Sequence, residues 1–345
     1  ESISGQLGDV HAQARACLLR ADFFFTTSEF SQAIESAQRG MDLAQSIGDV
    51  EVALDAFRLI PLSLWRQGKL AEAMQFARSG LDIVQSIGRK LDEGSIYNTM
   101  GLIALDQKES STAEEYFEKA LSLAREIPDR TLETKALNNL GNYEGFIRGD
   151  YARAREYYEQ SSAIIHERGD RSLEGIALVN LGWVAGMQGD FVAARSFHGN
   201  ALSIAREVGN RYQEMYTLIN LGAVTGVQKE AELSLRYANQ ARELSIKVGD
   251  RAGEAWSHFY IGHAHLLKND FQQARDAFSA SILLREESNQ MNLVMEAQAG
   301  LVETALLEGD LSEAEKRAEI ILAHLANNGT LDGTEEPLRI YLAVY

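Results

Sequence analysis

The chain predicts an all-α fold, an α-solenoid of eight helix-turn-helix units plus part of a ninth, on three observations. First, one small residue recurs along nearly the whole of the 345 residues, as Ala33, Ala73, Ala113, Ala154, Ala194, Ser234, Ala274 and Ala314, at steps of 40, 40, 41, 40, 40, 40 and 40. A fixed period in this range marks stacked supersecondary units. Second, glycine followed by Asp or Asn punctuates the units, at Gly48-Asp49, Gly169-Asp170, Gly189-Asp190, Gly209-Asn210 and Gly249-Asp250, with Pro128-Asp129 in the same slot once. Glycine ends a helix by turning left-handed, and the acidic or amide residue after it caps the next one. Third, only three prolines (Pro61, Pro128 and Pro337) stand in the way of continuous helix.

The units cover about 9–48, 49–88, 89–128, 129–169, 170–209, 210–249, 250–289 and 290–328, and 330–345 begins a ninth. The first carries the only cysteine, Cys17, on the apolar stripe of its first helix, which reads as a buried, inert thiol. In the second, Pro61 takes the place where later units carry a glycine in mid-helix; Ala21 and Val302 do so in the first and eighth. The fourth unit has one extra residue between Gly141 and Gly149, predicting a bulged first helix or a longer turn near Glu144 to Arg148. The fifth is the most regular: Arg171 to Gln188, a turn, then Phe191 to Val208. Leu178, Leu181, Gly182 and Ala185 share one face of its first helix, and Ala194, Phe197 and Ala201 one face of its second. The small residues Gly182 and Ala194 let the two axes approach. Glu1 in place of a methionine, and an amphipathic Glu335–Tyr345 that stops in mid-pattern, predict a piece of a longer protein.

The run Asn180-Leu181-Gly182 … Gly189-Asp190-Phe191 … Ala194 … Ala201-Leu202 resembles the tetratricopeptide repeat (TPR), and Asn139-Leu140-Gly141 and Asn220-Leu221-Gly222 repeat its opening. The resemblance covers roughly residues 9–327 and implies a right-handed TPR superhelix whose first helices line a concave groove. The 40-residue unit is similar to those of Pins/LGN polarity adaptors, kinesin light chains, and the sensor arrays of bacterial signal-transduction ATPases and maltose-activator-type regulators. Such an array implies a cytoplasmic scaffold for protein–protein interaction, here the regulatory part of a larger bacterial signalling protein that binds a peptide or partner segment. A small-molecule sensor of the STAND type and a Pins/LGN-like adaptor stay open as alternatives.

Candidate binding residues follow from the groove positions. Asn139, Asn180 and Asn220 occupy one offset in three successive units, with Asn98, Asn138 and Asn142 near it. An amide side chain both donates and accepts, so one per unit can clamp an extended peptide backbone, or else bond a neighbouring helix. Gly145, Gly186 and Gly226 share another offset, where the other units carry Phe25, Trp65, Leu105, Leu266 and Leu306. They either widen the groove for a ligand or relieve crowding on the inside of a tightly curved superhelix. Trp183, Tyr216, Trp256, Phe259 and His263 are the flanking aromatic and polar candidates, either anchors for a partner or inter-repeat core.

The composition disfavours other classes. A net charge of −17 repels nucleic-acid backbones, so no nucleic-acid partner is expected. No apolar run approaches the ~18–20 residues a membrane helix needs. No catalytic or phosphate-binding motif occurs, so the chain reads as no enzyme and without a cofactor. His258 and His265 lie two turns apart, about 10 Å, too far to share a metal ion. The groove's poverty in Lys and Arg argues against a carboxylate clamp.

Overall fold

A computed structural model describes residues 3–327, 329–331, 334 and 337–344, and Glu335 and Glu336 lie outside the described residues. Among the described residues the chain is helical, with no strand. The helices are α1 (Ile3–Thr26), α2 (Phe30–Ser46), α3 (Val50–Arg66), α4 (Leu70–Ser86), α5 (Lys90–Asp106), α6 (Ser110–Glu126), α7 (Arg130–Asn142) and α8 (Tyr151–Arg168). They continue as α9 (Arg171–Met187), α10 (Phe191–Glu207), α11 (Arg211–Val227), α12 (Ala231–Val248), α13 (Arg251–Leu267), α14 (Phe271–Glu287), α15 (Met291–Glu308), α16 (Leu311–Ala326) and α17 (Pro337–Leu342). Odd-numbered helices are the first of each pair. α17 follows the eight pairs, with Ile340 buried in the same core as Val294 and Leu301. The helices group into two compact units, residues 1–167 and 168–345, and the division falls between the fourth and fifth repeats.

The turns follow the sequence pattern. Gly48, Gly169, Gly189, Gly209 and Gly249 all have positive φ, at 79° for Gly189. The residue after each turn caps the next helix: Asp49, Asp170, Asp190, Asn210 and Asp250 accept from the backbone N–H three residues on, at 3.0–3.1 Å. Asp129 caps α7 the same way at 2.7 Å. The basic residue that follows ties the two ends of a pair together: Arg171 reaches Glu207 at 2.6 Å, and Lys90–Glu126 and Arg251–Glu287 repeat the bridge. These pairs are exposed, so solvent and salt screen them.

The core of six of the eight pairs is a glycine on one helix receiving a large side chain from the other. A Cβ on Gly101, Gly141, Gly182 or Gly262 would lie 2.4–2.7 Å from Phe117, Tyr158, His198 or Phe278, respectively. No real Cβ comes so close, so those rings require glycine there. In the first two pairs the partners exchange helices: Leu18 of α1 presses on Gly40, and Phe57 of α3 on Gly80. This explains why Ala21 and Pro61 are tolerated where later units carry glycine. The pairing also corrects the sequence reading of the fifth unit. The partner of Gly182 is the buried His198, whereas Phe197 is only partly buried and Ala194 faces Gly186. Cys17 is partly exposed rather than buried, at the edge of the stripe formed by Ala14, Leu18 and Ala21.

The extra residue of the fourth unit is absorbed as a π-helical segment, Tyr143–Arg148, continuous with α7. A π turn accommodates one residue without breaking the helix, which keeps the glycine–ring register on both sides. It also turns Glu144 inward, fully buried, against Arg153 at 3.0 Å and Arg148 at 3.6 Å. Phe146 and Ile147 are left exposed.

The ring slot of the fifth unit has a consequence for stability. Burial pushes the His198 imidazole down to about 4 from 6.5. The folded chain therefore holds it neutral while the unfolded chain takes up a proton below about 6.5. Stability is present above that pH and falls as pH drops through the 6.5-to-4 window, by at most about 3 kcal/mol. Phenylalanine already fills the same slot in the third and seventh units. His198→Phe should thus raise the urea midpoint of the 168–345 unit at pH 5, and flatten its slope between pH 6.5 and 4.5. An unchanged slope would mean that another group sets it.

Candidate partner-binding groove

The candidate asparagines divide by hydrogen bonding. In the unit of residues 1–167, Asn139 Nδ2 donates to Asn98 Oδ1 at 2.8 Å, joining α7 to α5. Asn142 Oδ1 accepts from the Tyr158 hydroxyl at 2.6 Å, and Asn138 Oδ1 is buried without a hydrogen-bond partner among the described residues. These helices present Asn98, Asn139 and Asn142 already engaged. Gly145 is buried within the π-helical segment.

The unit of residues 168–345 is different. Asn180 on α9 and Asn220 on α11 are partly buried, and neither side-chain amide bonds another described residue. The amides of two successive first helices are therefore available. A Cβ on Gly186 would meet Ala194 at 3.9 Å, and one on Gly226 would meet the Ser234 hydroxyl at 3.3 Å. Both glycines thus face the second helix of their own pair, where they allow close approach. Ser234 in turn donates to the Gly222 carbonyl at 2.8 Å, and Ala238 leaves the sixth unit without the ring that presses on glycine elsewhere.

That run of small residues adjoins a cavity of about 240 Å³. Its walls come from α11 (Ala223, Gly226, Val227), Ser234 of α12, α13 (Phe259, Tyr260, His263, Leu266, Leu267), α15 (Glu303, Leu307) and Arg339 of α17. The rim is polar. Arg339 pairs with Glu303, and its guanidinium stands 3.4 Å from His263 Nε2. Burial, reinforced by the Arg339 charge, holds the His263 imidazole well below its ordinary range, so it is neutral at pH 7.

The aromatic candidates take separate roles. Phe259 is buried and packs edge-on against His263 at 4.5 Å and against Phe278 at 6.0 Å, so it belongs to the core as well as to the cavity floor. Trp256 lies over the buried Arg285 guanidinium, 4.3 Å from its ring centroid, and Arg285 in turn approaches Glu296 at 3.4 Å. Tyr216 donates to Asp250 Oδ2 at 2.9 Å, and burial together with that carboxylate pushes its hydroxyl up to about 12. Trp183 is partly buried, one residue beyond the glycine that receives His198. Of the sequence candidates, Gly226, Phe259 and His263 line one cavity. Sequence reasoning missed Glu303 and Arg339, whose signal was available: His263 and Glu303 are 40 residues apart, one repeat.

Comparison with known proteins bears on this arrangement. The tetratricopeptide repeat family profile matches residues 92–165, 132–207 and 213–287. The search of curated proteins gives no match. Among solved structures, a signal-transduction ATPase with numerous domains and a tetratricopeptide repeat sensor, from Pyrococcus horikoshii, is 17% identical, with 89% of this chain and 46% of that one covered at a TM-score of 0.69. The apo quorum sensor NprR from B. thuringiensis is 13% identical, with 90% and 87% covered at 0.63. A Rap protein complexed with Competence and Sporulation Factor is 14% identical, with 97% of both chains covered at 0.62. The chain thus spans about half the length of the first of these, and the likenesses are of fold.

The Asn98–Asn139 bond is directly testable. A double-mutant cycle with Asn98→Ala and Asn139→Ala, read by urea unfolding, should give a coupling of about 0.5–1.5 kcal/mol. A coupling of zero would return both amides to the set free to bind a partner.

Proposed function

From membership of the tetratricopeptide repeat family, to which this chain belongs, we propose that it is a recognition module that binds a peptide or extended partner segment along its first helices. The tetratricopeptide repeat is a protein-interaction fold. The observation that carries the proposal is the pair of available amides, Asn180 and Asn220, on the two first helices that lead to the cavity between α11 and α17. Neither amide is a buried orphan, so both are open to water in the free protein, and a ligand that covers them must supply hydrogen bonds in the water's place. A ligand backbone, which offers an N–H and a C=O at every residue, supplies them.

Two of the structural neighbours favour recognition of a partner: a Rap protein was seen with Competence and Sporulation Factor, and NprR is a quorum sensor. By analogy with the sensor of the Pyrococcus horikoshii ATPase, the array would be the regulatory part of a larger cytoplasmic signalling protein. None of the described helices is long and apolar enough to cross a membrane. The cavity beside the two amides, about 240 Å³, suits one large side chain.

Peptides selected from a random displayed library against the full chain supply the test. Asn180→Ala with Asn220→Ala should weaken the selected peptides by more than about 10-fold, about 1.4 kcal/mol, with helicity unchanged. A folded double variant of undiminished affinity would overturn the clamp.

A further inference from the structure

The first helices of residues 168–345 end in an apolar ladder that the amide clamp does not use. Met187, Val227, Leu267 and Leu307 each stand 40 residues from the next, and each is exposed, at 43%, 49%, 41% and 55%. Val227, Leu267 and Leu307 line the same cavity, so three of the four open onto one surface. A solvent-facing apolar residue repeated at one position of four successive first helices, α9, α11, α13 and α15, is not explained by packing inside the repeats. The cores of the pairs are already filled by His198 and Phe278, and both Ala238 and Ser234 are buried.

We infer that this ladder reads an extended, cationic peptide carrying an apolar side chain at every third position, with one such side chain entering the cavity. The inference deepens the peptide-recognition reading and rests on it. Its first ground is dimensional. Packed helices lie about 8–10 Å apart, so three repeat steps span about 24–30 Å. An extended or polyproline-type chain advances about 3.1–3.3 Å per residue, so nine residues cover about 28–30 Å. Four rungs therefore match residues i, i+3, i+6 and i+9. In the three-residue polyproline turn those side chains share one face. Alternating apolar residues, at i and i+2, would fall out of step by the second rung.

The second ground is the pair Asn180 and Asn220, which lie on two of the same helices seven residues before their rungs. Their amides serve a chain whose backbone groups are open, as in an extended segment. An α-helical ligand has already spent those groups on itself. The third ground is charge. The chain carries −17 in all, which draws in a cationic ligand and repels an acidic one. The cavity rim adds no net cation, because Arg339 is paired with Glu303 and His263 is neutral.

The test uses two fluorescein-labelled twelve-residue peptides of identical composition, built from Leu, Lys, Ser and Thr. One carries Leu at the first, fourth, seventh and tenth positions; the other carries Leu at alternate positions. With the full chain, fluorescence anisotropy should show the period-three peptide binding at least 10-fold more tightly. Leu267→Asp, at an exposed rung, should remove that preference while circular dichroism stays unchanged. Should Leu267→Asp lose helicity, Val227→Asp replaces it as an independent rung. Equal affinity for the two isomers, with binding still lost on replacing Asn180 and Asn220, overturns the register and leaves peptide recognition standing. Tighter binding of a third isomer with Leu at helical spacing overturns the extended conformation. If neither isomer binds, the inference falls, and the library selection decides the broader reading.

Discussion

Everything else in this chain depends on one contact, a bare glycine on one helix of a pair receiving a large side chain from the other. Gly101 with Phe117, Gly141 with Tyr158 and Gly262 with Phe278 set how closely the two axes come, since any Cβ would collide with the ring. Ring burial supplies the apolar area that a short helix pair lacks, and the glycine makes room at a cost of about 0.5–1 kcal/mol in helix propensity. The reversed arrangement in the first two pairs, Leu18 on Gly40 and Phe57 on Gly80, shows that the complementarity matters and not which helix carries the glycine. Where the contact weakens, as at Gly222 with Ala238, the structure turns from core towards cavity.

The same contact explains how the chain accepts one residue too many. Between Gly141 and Gly149 the extra residue could have thrown every later ring out of register. It is confined instead to the π-helical Tyr143–Arg148, and Gly182 meets His198 with the spacing of the other pairs. The price of this adjustment is local: a buried carboxylate, Glu144, whose desolvation raises its proton affinity and which Arg153 and Arg148 stabilise as an ion.

The proposed recognition rests on positions the pairs do not need. Asn98 and Asn139 satisfy each other and serve the stack. Asn180 and Asn220 have no such partner, and nearby the small residues Gly226, Ala223 and Ser234 leave a cavity that Phe259 and His263 floor. One residue type at one repeat offset is thus engaged in one unit and open in the next, decided by what the neighbouring helix presents.

By itself the sequence determined the helix pairs, their capped turns, the repeat family and the place of the extra residue. Those features are local: periodicity, glycine at a left-handed turn, and Asp one residue on are written in neighbouring positions. The sequence also marked the central glycines and asparagines. It could not show that Gly182 answers to His198 rather than Ala194, that Phe259 is core, or which asparagines are engaged. Nor did it join Arg339 to Glu303 and His263. Only the tertiary structure decided these, because each depends on which side chains of separate helices are brought within a few ångströms. That distance is set by packing between repeats, and no single repeat encodes it.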